Sequence, residues 1–201
     1  MLKTVLLNGK KLPVPVPVKN VDEALSWLEE YLVGPRKTIT RIELDGVIVD
    51  DHHMSQTLSD SSRLVVQADS AIELAIQTID ALRNLVGVML RDIKHCAVQV
   101  YKMQADEDQS FLNDFLSDLV LILELAEHLF GLVGGHIEPG DLLAALELVN
   151  NSRVQVEEAR KQLNLPVVAR LILQFLEPQI QDVSNRLVAF QKQVLELDSP
   201  R

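Results

Sequence analysis

Residues 69–104 carry an apolar heptad repeat, which is the strongest structural constraint in the sequence. With position a at Ile72, every a position is β-branched and every d position is apolar. These positions are Ile72, Ile79, Val86, Ile93 and Val100 at a, and Ala75, Leu82, Met89, Cys96 and Met103 at d. This seam predicts a helix packed lengthwise against other helices. At 1.5 Å per residue the helix would be roughly 50 Å long, so it needs long neighbours to cover it.

Three further helical stretches are predicted, over residues 109–133, 138–163 and 167–197. The seam of the first stretch is Leu112, Phe115, Leu119, Ile122, Ala126, Leu129 and Val133. That of the second is Leu142, Ala145, Val149, Ser152, Val156, Ala159 and Leu163. That of the third is Leu176, Ile180, Val183, Leu187, Phe190, Val194 and Leu197. Pro178 should kink the last helix or mark a boundary near Glu177. Because the joints are short, we expect an elongated, mostly antiparallel four-helix bundle. The long seam would equally suit a homodimer.

The first third of the chain predicts a small sheet crossed by one helix. The expected order is strand, strand, helix, strand, strand, strand, over residues 2–7, 10–19, 20–34, 38–44, 47–49 and 63–67. Asn8-Gly9 and Asp45-Gly46 suit two-residue turns, which need positive φ at both central residues. Asn20 and Glu23 together predict a capping box at the start of the helix.

Prolines alternate with apolar residues along the second strand. Leu12, Val14, Val16 and Val18 share one face, and Pro13, Pro15 and Pro17 share the other. Since backbone groups of residues i and i+2 point to the same side, the prolines remove hydrogen-bond donors from one side only. This pattern predicts an edge strand that resists pairing with other chains. The alternative is a polyproline-like recognition segment.

This strand order, with the segment RIELDGVIVDDHHMSQTLSDSSRLVVQA over residues 41–68, resembles a β-grasp module. It is similar in layout to the small sulfur-carrier proteins of thiamine and molybdopterin synthesis. Residues 59–62 fall where that family has a polar turn before its last strand. Sulfur carriers end in a free Gly-Gly, whereas Gln67-Ala68 continues here into Asp69-Ser70 and a helix. The resemblance therefore implies the fold and a docking role without sulfur-carrier activity.

Together these patterns predict an α+β chain. We expect a small β-grasp-like domain over residues 1–68, followed by the elongated helical bundle over residues 69–201. The net charge is −10 and aromatic residues are 4% of the chain. Nucleic acid is therefore not an expected partner, because phosphate binding needs clustered Lys and Arg.

The single cysteine, Cys96, excludes a disulfide framework within the chain and favours a reducing compartment. We expect no signal peptide after Met1 and no membrane-spanning helix, because the most apolar stretch, residues 119–133, is short and contains charged residues. These features predict a cytoplasmic protein, bacterial in style.

Few residues suggest chemistry. His52 and His53 follow Asp50-Asp51, but adjacent side chains rarely converge on one metal ion. Asp92 precedes His95 by three residues and Glu124 precedes His128 by four. Neither pair has the Glu-x-x-His spacing of di-metal bundles. Cys96 follows His95 directly, and neighbours on a helix point about 100° apart, so a core role is expected for the thiol.

We therefore expect no catalytic, cofactor-binding or metal-binding residues. Whether His52 and His53 bind a metal is left open. The leading functional hypothesis is a non-catalytic interaction, adaptor or scaffold protein that binds a protein partner, itself, or both through its helical seams. The second is a binder of an apolar small molecule within the bundle, using Phe111, Phe115, Phe130, Phe175 and Phe190. An enzyme ranks last, with His52, His53, His95 and His128 as its candidate residues.

Overall fold

The computed structural model describes residue 2 and residues 4–14, 18–33, 37–49, 53–59, 61–103 and 109–198. The chain is α+β, with a mixed sheet followed by helices, as the sequence predicts. It forms two compact units, Met1–Glu73 and Leu74–Arg201. Several predicted features lie outside the described residues, namely Pro15, Val16 and Pro17 of the second strand, Gly34 at the end of the predicted helix 20–34, and residues 104–108 around the end of the first long helix.

The first unit contains five strands in the order β2-β1-β5-β3-β4. They are β1 (Thr4–Leu7), β2 (Lys10–Pro13), β3 (Lys37–Leu44), β4 (Val47–Ile48) and β5 (Leu64–Ser70). β1 runs parallel to β5, and the other pairs are antiparallel. β2 pairs with β1 and lies at the sheet edge, which confirms the predicted edge position, but the strand ends at Pro13 and not at residue 19. Pro13 is opposite Thr4 in that pair.

Both predicted hairpin turns form with positive φ. Asn8 and Gly9 have φ of 48° and 76°, and Asp45 and Gly46 have φ of 53° and 87°. Asn8 does more than close its hairpin. Its Nδ2 donates to the Ala68 carbonyl at 2.8 Å, and the Ala68 amide donates to its Oδ1 at 2.8 Å. The β1–β2 turn is thereby fastened to the central strand β5.

Helix α1 (Val21–Leu28) supplies the core that covers one face of this sheet. Asn20 caps it as predicted, because its Oδ1 accepts from the Glu23 amide at 2.8 Å. The Glu23 carboxylate reaches back to the Lys19 amide at 2.8 Å. Val21, Ala24, Leu25 and Leu28 are buried with Leu44, Leu64, Val66 and Ala68 of the sheet. Trp27 packs against this core, whereas Tyr31, in the π-helical turn Glu29–Val33, is exposed.

The last strand passes into the long helix without a loop. Ser70 ends β5 and caps α2 (Ala71–Lys102), so the strand ends three residues later than predicted. Asp69 stays in the strand and is buried. Its Oδ2 accepts from Thr40 Oγ1 at 2.6 Å and from Gln67 Nε2 at 3.0 Å. Those donors offset the cost of burying a carboxylate.

The predicted seam of α2 is confirmed over its central 26 residues. The buried side chains are Ala75, Ile79, Leu82, Val86, Met89, Ile93, Cys96 and Val100, with Ala97 beside them. Ile72 and Met103, at the two ends of the repeat, are half-buried. The heptad pattern therefore identified the packed face, and it overstated burial only where the helix begins and ends.

Helices α3 (Ser110–Val133) and α4 (Gly140–Lys161) follow the predicted ranges closely. All seven predicted seam residues of α3 are buried, and six of the seven in α4 are buried. Among the other apolar residues of α3, Leu116 is buried while Val120, Leu123 and Phe130 are half-exposed. The prediction that Leu163 belongs to the α4 seam is wrong. The helix ends at Lys161, and Leu163 adopts φ of 55° and is 57% exposed.

The final helical stretch begins at Leu165, two residues before the predicted start. It comprises α5 (Leu165–Leu171), a π-helical segment (Ile172–Leu176) and α6 (Glu177–Asp198). The boundary at Glu177 confirms the effect expected of Pro178. Six predicted seam residues from Leu176 to Val194 are buried, whereas Leu197 is exposed.

Contacts between named side chains connect the helices of the second unit. Gln191 of α6 accepts from Arg83 Nη1 at 2.7 Å and donates to Asp80 of α2 at 3.0 Å. Arg186 of α6 pairs with Asp141 of α4 at 3.2 Å. Two further contacts involve α3 or the residue just before it. Phe130 meets Phe190 edge to face at 6.0 Å between ring centroids, and Arg160 Nε donates to Gln109 at 2.9 Å.

Candidate functional site

The described candidate histidines lie on separate elements. His53 is in the turn before Thr57, His95 is on α2 and His128 is on the exposed side of α3. His52, with Asp50 and Asp51, lies outside the described residues. Among the side chains that the structure describes, no three His, Cys, Asp or Glu residues are grouped so as to hold a metal ion.

His95 and Cys96 are adjacent in α2 but have different surroundings. Cys96 is buried, and burial raises the pKa of its thiol to about 11. Because the thiolate is the nucleophile, a thiol with this pKa is largely inert near neutral pH. His95 is exposed, and its Nε2 lies 2.8 Å from Nε2 of Gln99. The prediction that Cys96 is a core residue is confirmed.

Two grooves in the helical unit have charged linings. One, of about 270 Å³ between α2 and α3, includes Asp92, Asp114 and Asp118 together with both His95 and Cys96. The other, of about 510 Å³ between α3 and α4, includes Arg160 and Glu157. In the second groove Arg160 is hydrogen-bonded to Gln109. In the first groove Asp92 and Asp114 are exposed, and in the second Glu157 pairs with Arg153. Neither groove is developed further as a ligand site.

A third groove, of about 610 Å³, lies between the end of α2 and the α5–π stretch, and its lining is mainly apolar. It is lined by Ala97, Val98, Tyr101, Pro166, Val167, Ala169, Arg170, Leu173 and Gln174. We call this set the α2–α5 groove. Tyr101 is 67% exposed and Val98 is 46% exposed, so apolar surface faces solvent here. A binding partner could cover this apolar surface and remove it from water.

A π-helical segment lies in one wall of this groove and contributes Leu173 to its lining. Pro178 has no N–H to offer the carbonyl of Gln174, and its ring crowds that carbonyl, so a regular helix cannot pass through unchanged. The chain instead forms a wider turn, in which the Glu177 amide donates to the Ile172 carbonyl five residues before it. Leu173 and Phe175, inside this turn, are exposed. π turns within helices are frequent at functional sites.

An ion pair lies one helical turn beyond the groove on each wall. Lys94 Nζ of α2 is 3.2 Å from Glu177 Oε1 of α6. Ala97 and Gln174, which line the groove, each lie three residues from a member of this pair. The apolar surface of the groove therefore ends at this salt bridge, in which the two charges are paired with each other.

The predicted set of small-molecule contacts did not anticipate this groove. Phe175 was assigned to the bundle interior, but it is 46% exposed, and Phe115 and Phe190 are buried. The available signal was the spacing of Val168, Ile172, Leu176 and Ile180, which are all buried and four residues apart. A regular helix returns every 3.6 residues, so three successive steps of four indicate a locally wider helix.

Within the described residues, no helix has both the length and the apolar content that crossing a bilayer requires. The candidate functional site is the α2–α5 groove, whose walls lie on two helical stretches. Arg170 is the single charged side chain in its lining. Comparison of the chain with protein-family models, with curated proteins and with solved structures gives no match.

Proposed function

We propose that this chain is a non-catalytic adaptor or scaffold protein, and that the α2–α5 groove is its docking surface for a protein partner. The observation that carries the proposal is the apolar lining of that groove, with Val98, Tyr101 and Leu173 exposed on its walls. Burial of this surface by a partner is favourable by roughly 25 cal/mol for each Å² removed from water. The proposal includes a cytoplasmic location, which the single buried thiol of Cys96 supports.

The architecture in this proposal is a β-grasp-like unit followed by an elongated, mostly antiparallel four-helix bundle. The order β2-β1-β5-β3-β4, with a parallel central pair, supports the β-grasp assignment. Two contacts support an antiparallel α2–α6 pair, since Arg83 meets Gln191 while Lys94 meets Glu177. Short connections between α3, α4 and α5 support the up-and-down path.

A second candidate function is binding of an apolar small molecule by the helical bundle. The volume of about 610 Å³ favours it, because it lies in the range of ligand pockets. Native mass spectrometry of the full chain, with titration of a hydrophobic dye, tests this alternative. A clean apo mass together with no saturable dye binding would remove it.

The adaptor proposal is tested with a pair of matched double variants of the full chain. Tyr101→Glu with Leu173→Glu places two charges in the groove. Leu148→Glu with Val188→Glu places two charges at exposed apolar positions outside its lining. Partners captured from the native cell are purified, and their binding to each variant is measured by titration calorimetry.

We expect at least one purified partner to bind the wild type and the control variant but not the groove variant. If every purified partner binds the groove variant as tightly as the wild type, the α2–α5 groove is not the docking surface. Sedimentation of the same proteins tests the self-association form of the proposal, in which a homodimer forms through the helical seams.

A further inference from the structure

We propose that the α2–α5 groove takes an amphipathic helix of a partner protein, and that a carboxylate on this helix pairs with Arg170. This inference rests on the proposed docking function and adds the chemistry of the partner. Three features of the groove carry it, namely its helical walls, its length and its charge.

Both walls of the groove are helical, and this determines the backbone of the occupant. Val98 lies inside α2 and Leu173 inside the π-helical segment, so their backbone groups bond within those helices. They therefore present no open strand edge that could accept a peptide by strand addition. A third helix, by contrast, packs its side-chain ridges between two helices without needing backbone partners. Helix-in-groove binding is the mode that fits these walls.

The length of the groove sets the number of anchors. Its longer wall runs from Pro166 to Gln174. The eight steps between these nine residues, at about 1.5 Å each, span about 12 Å, which is roughly two turns of a partner helix. A helix of that length presents apolar side chains at positions i, i+4 and i+7 on one face. The predicted partner therefore contributes about three apolar anchors.

Arg170 determines the charge of the partner. It is the single charged residue among those that line the groove, and it is exposed. In the part of the chain that the structure describes, no carboxylate pairs with it, whereas Lys94 at the groove's end is paired with Glu177. A guanidinium beside an apolar wall favours a carboxylate, because the planar fork binds both of its oxygens. An acidic residue on the helix would then fix its register.

Two other occupants fit the groove less well. A small ligand is normally covered over 70–90% of its surface, and a groove whose Tyr101 wall is 67% exposed leaves much of it open. A second copy of this chain would bring together two molecules that each carry a net charge of −10. Repulsion between them opposes that pairing at low salt.

The test uses a phage-displayed library of 18-residue peptides, built on an Ala, Lys and Gln helix with four randomised positions on one face. Selection is against the immobilised full chain. Selected peptides are then synthesised with a fluorescein label, and their affinity is measured by anisotropy. The proteins compared are the wild type, Arg170→Gln, Arg170→Glu, Tyr101→Glu, and Lys192→Glu as a control with the same charge change as Arg170→Glu.

We expect the selected peptides to combine apolar anchors with Glu or Asp at one fixed position. Arg170→Glu should weaken them at least roughly tenfold, Lys192→Glu less than about twofold, and changing the peptide's acid to Lys should restore binding to Arg170→Glu. Binding that is sensitive to Tyr101→Glu but indifferent to both Arg170 variants would overturn the acidic-helix inference and leave the docking surface standing.

Two other outcomes are also decisive. Peptides that bind all variants equally, or a library that yields none, would overturn both the acidic-helix inference and the docking proposal. A wild-type chain that sediments as a dimer, and becomes a monomer with Tyr101→Glu, would give the groove to a second copy and overturn the inference.

Discussion

Ser70 and Glu73 cap each other at the start of α2. The Ser70 amide donates to Glu73 Oε2 at 2.6 Å, and the Glu73 amide donates to Ser70 Oγ at 3.1 Å. Lys37 of β3 adds an ion pair to the same carboxylate oxygen at 3.4 Å. One carboxylate thus serves the end of a strand, the beginning of a helix and a neighbouring strand.

Replacing Ser70 with Ala should lower the free energy of unfolding by about 1 kcal/mol, because the variant loses the acceptor for the Glu73 amide. Urea unfolding followed by circular dichroism at 222 nm measures the change. Glu73→Gln keeps an oxygen for the Ser70 amide and removes only the charge, so it separates capping from ion pairing. An unchanged unfolding midpoint in Ser70→Ala would contradict the capping role.

The Glu73 carboxylate also makes the stability of the start of α2 depend on pH. The hydrogen bond from the Ser70 amide, assisted by the Ser70 hydroxyl and by Lys37, lowers the pKa of Glu73. A lowered folded-state pKa contributes stability above the unfolded value of about 4.3, and this contribution is lost as the pH falls through the folded value. We expect Glu73→Gln to reduce the loss of stability below about pH 4. If the wild type and Glu73→Gln lose the same free energy of unfolding as the pH falls, the Glu73 carboxylate does not contribute in this way.

Val86 and Val88 offer a matched test of the α2 seam. Val86 is fully buried, whereas Val88 is 40% exposed. Val86→Asp should cost about 3–5 kcal/mol, because it buries an unpaired charge. Val88→Asp should cost less than about 1 kcal/mol, because the carboxylate stays in water. Chemical denaturation of both variants decides the point, and equal stabilities would show that the buried face is wrongly assigned.

Cys96 should resist alkylation in the folded chain. With its pKa raised to about 11 by burial, its thiolate fraction at pH 8 is roughly 100-fold lower than that of an ordinary thiol. We expect iodoacetamide to react at least roughly 100-fold more slowly with the folded chain than with the chain in urea. Since Cys96 is the single cysteine, intact-mass spectrometry follows the reaction directly. Comparable rates in the two states would refute the buried assignment.

Ser152 tests whether α4 needs small residues on its packed face. It is 4% exposed, while its neighbour Asn151 is exposed. Ser152→Leu should cost about 1–3 kcal/mol through overpacking against the adjacent helix. Asn151→Leu, with the same new side chain, should stay within about 0.5 kcal/mol of the wild type. Thermal unfolding of the two variants gives the comparison, and a stable Ser152→Leu chain would rule out close approach there.

Periodicity and local chemistry predicted much of this fold. The heptads of α2 identified its buried face because burial repeats with the helix turn, and Asn8-Gly9 identified a hairpin because few residue pairs accept two positive φ angles. The α2–α5 groove was not predicted. The spacing of apolar residues identifies the packed face of a helix, but it does not show which other helix lies beside that face. The apolar character of Phe175 suggested that it would be buried, but it lies in the π-helical segment and is exposed.

The four-residue spacing around the π segment has a consequence for sequence length. Twelve residues separate Val168 from Ile180, whereas three turns of a regular α-helix take about 11. The segment therefore behaves as a one-residue insertion absorbed inside a continuous helix. Deleting one residue between Ile172 and Leu176 would bring the two buried flanks back into the register of a regular helix, whereas Pro178 would still leave the carbonyl four residues before it without a donor.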